Sequence, residues 1–303
     1  MTKADKKPIY ERVTETLIAA IEAGAGKWEM PWHRSGFNLP YNALTTKPYQ
    51  GMNTILLWCT NRSSNEWATY NQWATLGAQV RKGEKGTACV KWVEIKDKKK
   101  KANPKDKKTL IPAGFTVFNA EQVDGYEPKA LASLVDETTK IANADAAIKK
   151  TGAIIRYAGD RACYIPSIDN IVIPPRKTFK DTKTSTATEN FYATELHELV
   201  HWTGHKSRLD RFGKHQDRFS TDAYAFEELI ADIGSAFACV RLGIVNEPRA
   251  DHAQYLSSWL KILRADSKAI MTAASSAQKA CNFILADEQQ LSLPGEELQK
   301  EAA

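Results

Sequence analysis

The sequence predicts an α+β protein of two domains, an N-terminal domain at 1–125 and a C-terminal domain at 126–303. Strand-like segments separated by turn signals dominate the first part, longer helical patterns dominate the second, and no strict alternation of strand and helix runs through the chain. At 303 residues the chain is long enough to bury two cores of ordinary size. The distribution of charge changes near the same boundary.

The first domain is predicted to open with an amphipathic helix, because apolar residues recur at four-residue steps along PIYERVTETLIAAI. The apolar run MNTILLWC that follows requires burial. Residues 67–95 predict a short helix, a basic turn punctuated by glycine, and a strand. The lysine run at 96–108 is predicted to be the solvated tip of a hairpin whose second strand is AGFTVFNAEQV.

The second domain is predicted to begin with a helix over PKALASLVDETTKIANADAAIKKTG. Two β-like segments follow, AIIRYAG and RACYIPSIDNIVIPP. Three further helical stretches are then predicted, at 188–205, 222–242 and 250–284. This order of strands followed by helices is what places the chain in the α+β class.

Positive charge and tryptophan are concentrated in the first domain. Residues 1–125 carry 20 Lys and Arg against 12 Asp and Glu, whereas the remainder carries 22 against 24. Six of the eight tryptophans also lie in 1–125. Cations attract phosphates and flat rings stack on unpaired bases, so this combination favours binding of single-stranded nucleic acid. A protein that mimics duplex DNA needs a dense acidic surface, which the net charge of +6 disfavours.

The basic turn VRKGEKG is the first candidate for contact with DNA, because Gly83 and Gly86 let the backbone approach a phosphate. The alternative interpretation of this turn is a solvated hairpin turn. For the nearby aromatic rings the alternative is packing in the core, and for Asn53 it is a hydrogen bond to the backbone. The predicted DNA contacts comprise three cations, three rings and one amide: Arg81, Lys82, Lys85, Trp73, Tyr49, Tyr70 and Asn53.

No apolar run approaches the ~20 residues that a membrane span needs, so we expect a cytoplasmic protein without a membrane partner. The five cysteines are odd in number, scattered, and never arranged as C-x-x-C. Neither a disulfide framework nor a thiolate metal site is therefore indicated.

The stretch TELHELVHWTGH at 194–205 has the spacing of a metal site. In H-E-x-x-H on a helix, residues four apart share one face, so His197 and His201 can present imidazole nitrogens to one ion. Glu198 lies beside that ion without binding it, and can take a proton from the attacking water and hand it to a leaving amine. A polar helix that happens to contain histidines is the alternative for this segment alone.

A catalytic zinc needs three protein ligands and an open position. Glu228, in the helical pattern YAFEELIAD, is the predicted third ligand, and Asp232 one turn later can hold the second nitrogen of a ligand histidine. His205 remains an alternative ligand. Glu227 is disfavoured because it points about 100° away from Glu228 on a helix.

Two further points concern the chemistry of this site. Tyr224, one turn before Glu228, can donate to a developing oxyanion, or can simply pack. The predicted cofactor is Zn²⁺, with Mn²⁺ or Co²⁺ also accepted by a set of two histidines and a glutamate.

Motifs in both halves resemble the plasmid-borne antirestriction proteins of the ArdC family. In the first half the resemblance is carried by NALTTKPYQGMNTILLW and QWATLGAQVRKGEKG, and in the second by IPPRKTF, FYATELHELVHWTGH and YAFEELIAD. It implies an N-terminal domain that binds single-stranded DNA and is shared with certain plasmid primases. It also implies a zincin-like metallopeptidase domain, similar to that of DNA–protein crosslink proteases, with all four motif positions from His197 to Glu228 intact.

Two functional hypotheses follow. In the first, the protein binds single-stranded DNA and uses zinc-dependent peptidase chemistry to protect incoming plasmid DNA from host restriction, with a DNA-bound protein or a restriction enzyme as its target. In the second, it is a non-catalytic module that coats DNA or binds a restriction enzyme, and its metal is structural. Substitution of Glu198 separates the two, because only the enzyme depends on that side chain.

Overall fold

The computed structural model describes residues 7–24, 38–95, 109–128, 137–213, 222–245 and 252–285. The helices are α1 (Ile9–Gly24), α2 (Met52–Cys59), α3 (Tyr70–Thr75), α4 (Glu137–Thr151), α5 (Ala187–Thr203), α6 (Ala223–Leu242), α7 (His252–Ala265) and α8 (Ala269–Ile284). The strands are β1 (Tyr41–Asn42), β2 (Glu66–Ala68), β3 (Gln79–Val80), β4 (Thr87–Ile95), β5 (Thr109–Asn119), β6 (Val123–Asp124), β7 (Ile154–Tyr157), β8 (Cys163–Ile165) and β9 (Asn170–Ile173). The mixture of sheets and separate helices confirms the α+β class.

The N-terminal part is built on a four-stranded sheet in the order β1-β2-β5-β4. The long antiparallel pair β4 and β5 stays in register from Thr87 opposite Val117 to Ile95 opposite Thr109. A second, two-stranded sheet pairs β3 with β6, so that the basic turn after β3 lies against the end of β5. The hairpin predicted around the lysine run is therefore present as far as Ile95 and Thr109, and its predicted tip at 96–108 lies outside the described residues.

The C-terminal part combines a three-stranded sheet, in the order β7-β9-β8, with the helices that follow it. Strand β9 pairs in parallel with β7 and antiparallel with β8, and α5 packs against β8 and β9. Helix α6 crosses α5 closely at Gly234, where an added Cβ would lie 2.9 Å from the Val200 side chain and 3.5 Å from the Ala277 carbonyl oxygen. This close crossing brings side chains of α5 and α6 to one point.

The two parts share one hydrophobic core. Helix α1 packs on α7, and α2 packs on α8. The Trp58 ring lies 5.7 Å from the Phe237 ring of α6, and Gly51 donates its backbone N–H to Gln278 of α8 at 2.9 Å. The N-terminal side chains within this core are Val13, Leu17, Ile21, Met52, Ile55, Leu56, Trp58 and Val90. The amphipathic pattern of α1 is thus satisfied by the second half of the chain.

Two predicted elements are wrong in their extent. The predicted helix 250–284 is divided into α7 and α8, because the Asp266 carboxylate accepts the Lys268 N–H at 2.8 Å and so competes with the helical pattern. The predicted strand AGFTVFNAEQV ends at Asn119, whose side chain caps a 3₁₀ turn by accepting the Glu121 N–H at 3.0 Å. Among the described residues, no helix is long and apolar enough to cross a membrane.

Candidate metal centre and nucleic-acid surface

Helix α5 presents the two histidines of the H-E-x-x-H pattern. It begins with a capping box, in which the Thr186 hydroxyl accepts the Glu189 N–H and the Glu189 carboxylate accepts the Thr186 N–H at 3.0 Å. The helix continues without a break to Thr203, so the histidines lie one turn apart. The rings of His197 and His201 are 4.9 Å apart, with an angle of 78° between their planes.

Glu228 on α6 completes a group of three potential metal ligands. Its Oε2 lies 3.4 Å from Nε2 of His197, and its Oε1 lies 3.4 Å from Nε2 of His201. All three ligand atoms lie within 4.8 Å of one another. The side chains are largely withdrawn from solvent, with 2%, 12% and 9% of their surface exposed for His197, His201 and Glu228. The structure thus brings together the three residues predicted from the sequence.

The electrostatics of this group suit a divalent cation. Burial opposes a charge on His201, but hydrogen bonds to Glu227 and Glu228 outweigh it and raise the pKa of His201 to about 10. Burial likewise opposes ionisation of Glu228, but the two histidines hold the pKa of that carboxyl well below its usual range. Two imidazole nitrogens and a carboxylate oxygen form a donor set that divalent metals accept, and three protein ligands leave room for water or substrate. The residues therefore fit a catalytic type of metal site.

Glu198 lies next to the three potential metal ligands. It follows His197 directly on α5 and is 3% exposed. Its negative charge also affects Cys163 on β8. Burial is the main cause that raises the pKa of Cys163 above that of an ordinary thiol, and the Glu198 charge is a smaller one. Glu198 therefore lies beside the ligand histidines, on the part of α5 that faces Cys163.

Tyr224 lies at the mouth of the site, one turn before Glu228. Its side chain is exposed, and its hydroxyl lies 3.5 Å from the hydroxyl of Tyr255 on α7. Although 66% of the residue is exposed, partial burial of the hydroxyl, followed by the contact with Tyr255 and the charge of Glu228, raises the pKa of Tyr224. The phenol therefore stays protonated and remains available as a hydrogen-bond donor.

A carboxylate that the sequence analysis considered only as a metal ligand lies beside His201. It is that of Glu227, whose Oε1 is 3.5 Å from Nδ1 of His201. Asp232, the predicted partner, is buried one turn after Glu228, and its contact with a ligand histidine stays a prediction. His205 follows the end of α5 and its Nδ1 lies 2.8 Å from the Ser207 hydroxyl, outside the group of three.

A second candidate surface surrounds the basic turn after β3. It is a shallow depression of about 730 Å³, and the residues lining it are Tyr70, Gln79, Val80, Arg81, Lys82, Gly83, Glu84, Phe118 and Asp124. The ring of Tyr70 is 50% exposed, and its hydroxyl accepts a hydrogen bond from Gln79 at 2.7 Å. An exposed ring thus lies beside cations, as binding of an unpaired base requires.

The three cations of the turn differ in their surroundings. Arg81 contacts Glu84 at 3.0 Å and Asp124 at 3.4 Å, and donates to the backbone carbonyl oxygens of Glu121 and Val123. Lys82 and Lys85 are exposed and form no ion pair among the described residues. Gly86 is needed for packing rather than for approach to a ligand, because a Cβ there would lie 2.3 Å from the Thr116 side chain.

Two of the predicted DNA contacts are engaged within the fold. Trp73 is fully buried, with its indole N–H donated to the Phe118 carbonyl oxygen at 2.9 Å and its ring edge-on to Tyr126, so neither face can stack on a base. The Asn53 amide both donates to and accepts from the backbone of Val90 at 2.8 Å, which ties α2 to β4. A large ring such as that of Trp73 packs readily in a core, and the backbone groups of Val90 need hydrogen-bond partners, which Asn53 provides. Both side chains are therefore used within the fold.

Tyr49, the last of the three predicted rings, lies outside the depression and is half-buried. It packs against the small core formed by Leu57, Trp67, Cys89 and Val117, and its hydroxyl accepts from the Asn42 amide at 3.3 Å. A role for Tyr49 in DNA binding stays a prediction.

Comparisons with known proteins match both halves of this architecture. Residues 7–118 match the N-terminal domain of anti-restriction factor ArdC, and residues 142–276 match a zincin-like metallopeptidase. The fold and the site therefore define a two-domain protein with a zincin-like metallopeptidase domain behind an ArdC-type N-terminal domain.

Whole-chain relatives narrow this class further. Crystal structures of the antirestriction protein ArdC from plasmid R388, one metal-free and one bound to Mn(II), are 38% identical and give TM-scores of 0.74, with 94% of this chain and 99% of theirs covered. Protein y4eC of Sinorhizobium fredii is 40% identical over 92% of both chains. The chain belongs to the ArdC family of antirestriction proteins.

Related sequences also occur inside longer proteins. A DNA primase TraC of Escherichia coli is 41% identical across 94% of this chain, but the match spans 20% of that primase. For a second TraC primase the corresponding values are 39%, 94% and 28%. The resemblance to primases is confirmed, and it covers both domains rather than the first alone.

Proposed function

We propose that this protein binds single-stranded DNA through its N-terminal domain and cleaves protein with a metal-dependent site in its C-terminal domain, and that it thereby protects entering plasmid DNA from restriction. The observation that supports the enzymatic part most strongly is the convergence of His197, His201 and Glu228, with ligand atoms within 4.8 Å, next to the buried Glu198. The proposed ion is Zn²⁺. Mn²⁺ is a second candidate, since an ArdC structure has been described with Mn(II) bound.

A divalent cation held by these three groups would polarise the scissile carbonyl and favour deprotonation of water at the site. Glu198 then acts as general base toward the attacking water and passes the proton to the leaving amine. Tyr224, protonated and exposed at the mouth, donates a hydrogen bond to the oxyanion that develops as the amide carbonyl is attacked.

Metal analysis tests the ligand assignment. We expect His197→Ala, His201→Ala and Glu228→Ala to lose the stoichiometric metal that wild-type protein carries, whereas Glu198→Gln keeps it because the base is not a ligand. His205→Ala is the matched control and should keep its metal. Loss of metal in His205→Ala together with full retention in Glu228→Ala would show that the third ligand has been misassigned.

On the nucleic-acid side, the proposed contacts are a base stacked on Tyr70 and phosphates at Lys82 and Lys85. This proposal is supported by the exposed ring, by the two cations without an ion pair among the described residues, and by the net positive charge of 1–125. Arg81 contributes less charge to a phosphate than the two lysines, because it is already paired with Glu84 and Asp124.

The biological role is tested by restriction-protection measurements with the Glu198→Gln variant. If proteolysis protects the DNA, this variant should bind metal and single-stranded DNA normally yet fail to protect. A gel assay with a DNA-bound protein target, with and without chelator and single-stranded DNA, should show cleavage by wild type only when metal and DNA are both present. Full protection by Glu198→Gln would instead favour the binding-only function.

A further inference from the structure

We infer that Arg211 and Glu227 form a positioning pair for the ligand His201, an inference that rests on the proposed metal site. In this arrangement Glu227 accepts the Nδ1–H of His201. The lone pair of Nε2 is then directed at the position of the metal, beside Glu228. Arg211 in turn holds the Glu227 carboxylate in place. Neither residue is a ligand, and neither touches substrate.

The imidazole of His201 lies between two carboxylates that are adjacent in sequence. Glu228 faces Nε2 at 3.4 Å, and Glu227 faces Nδ1 at 3.5 Å. Successive residues on a helix point about 100° apart, so consecutive glutamates on α6 can reach opposite edges of a ring that lies on α5. The same angular offset that removes Glu227 from the ligand set therefore gives it access to the other nitrogen.

Arg211 is fully engaged on one side by Glu227 and on the other by α5. It is buried, its Nη2 and Nε contact the Glu227 carboxylate at 2.6 Å and 3.1 Å, and it donates to the Val200 carbonyl oxygen at 2.6 Å and the Thr203 hydroxyl at 2.8 Å. Gly204 makes room for the Phe212 ring and for this side chain, because a Cβ there would lie 2.6 Å from the ring and 3.0 Å from Nη2 of Arg211.

The chemistry of metal binding gives this pair a purpose beyond stability. A buried ion pair is a weak source of stability, since the desolvation of two charges offsets much of their attraction. A histidine ligand must be neutral with its proton on the nitrogen that does not bind the metal, and a carboxylate on that nitrogen selects the tautomer and increases the basicity of the ligand. Glu227 lies where such a carboxylate is needed, and the contacts from Nε and Nη2 of Arg211 prevent it from rotating away.

The first test measures metal affinity in Glu227→Gln by competition with a chelator, using Zn²⁺ and Mn²⁺ separately. In the glutamine one carboxylate oxygen is replaced by an NH₂ donor, which cannot accept from Arg211, and the remaining oxygen carries no charge and is a weaker acceptor for His201. We expect metal to bind about 10 to 100-fold more weakly than in wild type. Arg208→Lys is the matched control, since Arg208 belongs to the same segment but pairs with Asp169 instead of Glu227 and should leave the affinity unchanged.

A second variant keeps the test valid if Glu227→Gln folds poorly. Replacing both members, Arg211→Met with Glu227→Leu, leaves no buried unpaired charge, and such replacements of whole ion pairs usually fold. The folded double variant should still bind metal about 10 to 100-fold more weakly. Nitrogen-15 NMR of the imidazoles should show one Nδ1–H tautomer for His201 in metal-loaded wild type and a loss of that preference, or of the bound metal, in the double variant.

The outcomes separate this inference from the proposed function. Unchanged affinity and an unchanged His201 tautomer in the folded variants would mean that the pair is merely structural, and the inference would fall while the metal site stood. A wild-type protein that binds neither metal would overturn the metal site itself, and the inference with it. Weaker binding in both Glu227 variants, with normal binding in Arg208→Lys, supports the positioning role.

Discussion

At the scale of single residues, neighbours in the basic turn have different functions. Arg81 ties the turn to Glu84 and Asp124, whereas Lys82 and Lys85 extend into solvent. Three cations of one short motif therefore have two roles: Arg81 stabilises the fold, and the two lysines are available for binding. The lysines differ from Arg81 in having no acidic partner among the described residues.

Replacing both lysines, Lys82→Gln with Lys85→Gln, should weaken binding of single-stranded DNA without altering the melting temperature. Each lost phosphate contact should reduce the slope of log affinity against log salt by about 0.7. Fluorescence anisotropy with a labelled oligonucleotide at several salt concentrations measures this slope. The control is Arg81→Gln, which should lower the melting temperature instead, and an unchanged salt slope in the double variant would remove these lysines from the interface.

Glu195, two residues before the first ligand histidine, gives the protein a predicted dependence of stability on pH. It is 1% exposed, and burial raises its pKa to about 7 although the Tyr157 hydroxyl donates to it at 2.7 Å. The folded state thus holds this proton more tightly than the unfolded state, so the stabilisation is complete below about pH 4. It is lost as the pH rises through the folded-state pKa.

The Glu195→Gln variant should not lose stability in this range, because its side chain does not ionise. Relative to wild type, its free energy of unfolding should improve by roughly 3 kcal/mol between pH 4.5 and pH 8, from 1.36 kcal/mol per pKa unit. Urea denaturation of both proteins at several pH values measures the difference. Parallel stability curves would show that Glu195 does not titrate in this range.

At the scale of elements, the site depends on how closely α5 and α6 approach. The histidines come from one helix and Glu228 from the other, and the helices meet at Gly234 against Val200. Glycine is unfavourable inside a helix by about 1 kcal/mol relative to alanine, so its presence in α6 is explained by packing rather than by propensity.

Gly234→Ala should therefore destabilise the protein, by about 1 to 3 kcal/mol, despite the better helix propensity of alanine. The added Cβ would lie 2.9 Å from Val200, and a β-branched valine cannot easily move aside. Adding Val200→Ala should recover part of the loss, and thermal denaturation of the two single variants and the double variant measures this coupling. A stable Gly234→Ala protein with no coupling to Val200 would contradict the close crossing.

At the scale of the whole molecule, the two domains are joined by a common core rather than by a linker alone. Helices α1 and α2 bury apolar side chains against α6, α7 and α8, so each part covers the hydrophobic surface of the other. The domain boundary near residue 125 stays a prediction made from the sequence. The hydrophobic core contains residues from both sides of that boundary.

The shared core predicts that the full chain unfolds in one cooperative transition. Trp58→Ala, which removes the contact with Phe237, should lower the free energy of unfolding by about 3 to 5 kcal/mol and shift the whole transition. Differential scanning calorimetry shows whether one or two transitions occur. Two separate transitions, with only one shifted by the substitution, would mean that the domains fold independently.

Part of the site was predictable because its information is local. The helical spacing of His197 and His201 follows from 3.6 residues per turn, and the pattern around Glu228 marks a second helix with a suitable carboxylate. The buried face of α1 was likewise readable from its four-residue steps, and the α+β class from the order of strands and helices.

The rest depended on contacts between residues that are distant in sequence. A sequence window cannot show that Arg211 reaches Glu227, 16 residues away. Nor can it show that Trp73 is covered by Tyr126 and Phe118, or that Asn53 is occupied by Val90. The sequence by itself therefore determined which residues could bind a metal or a base. Only the tertiary structure decided which of them are free to do so, because packing and hydrogen bonding assign each side chain to one set of neighbours.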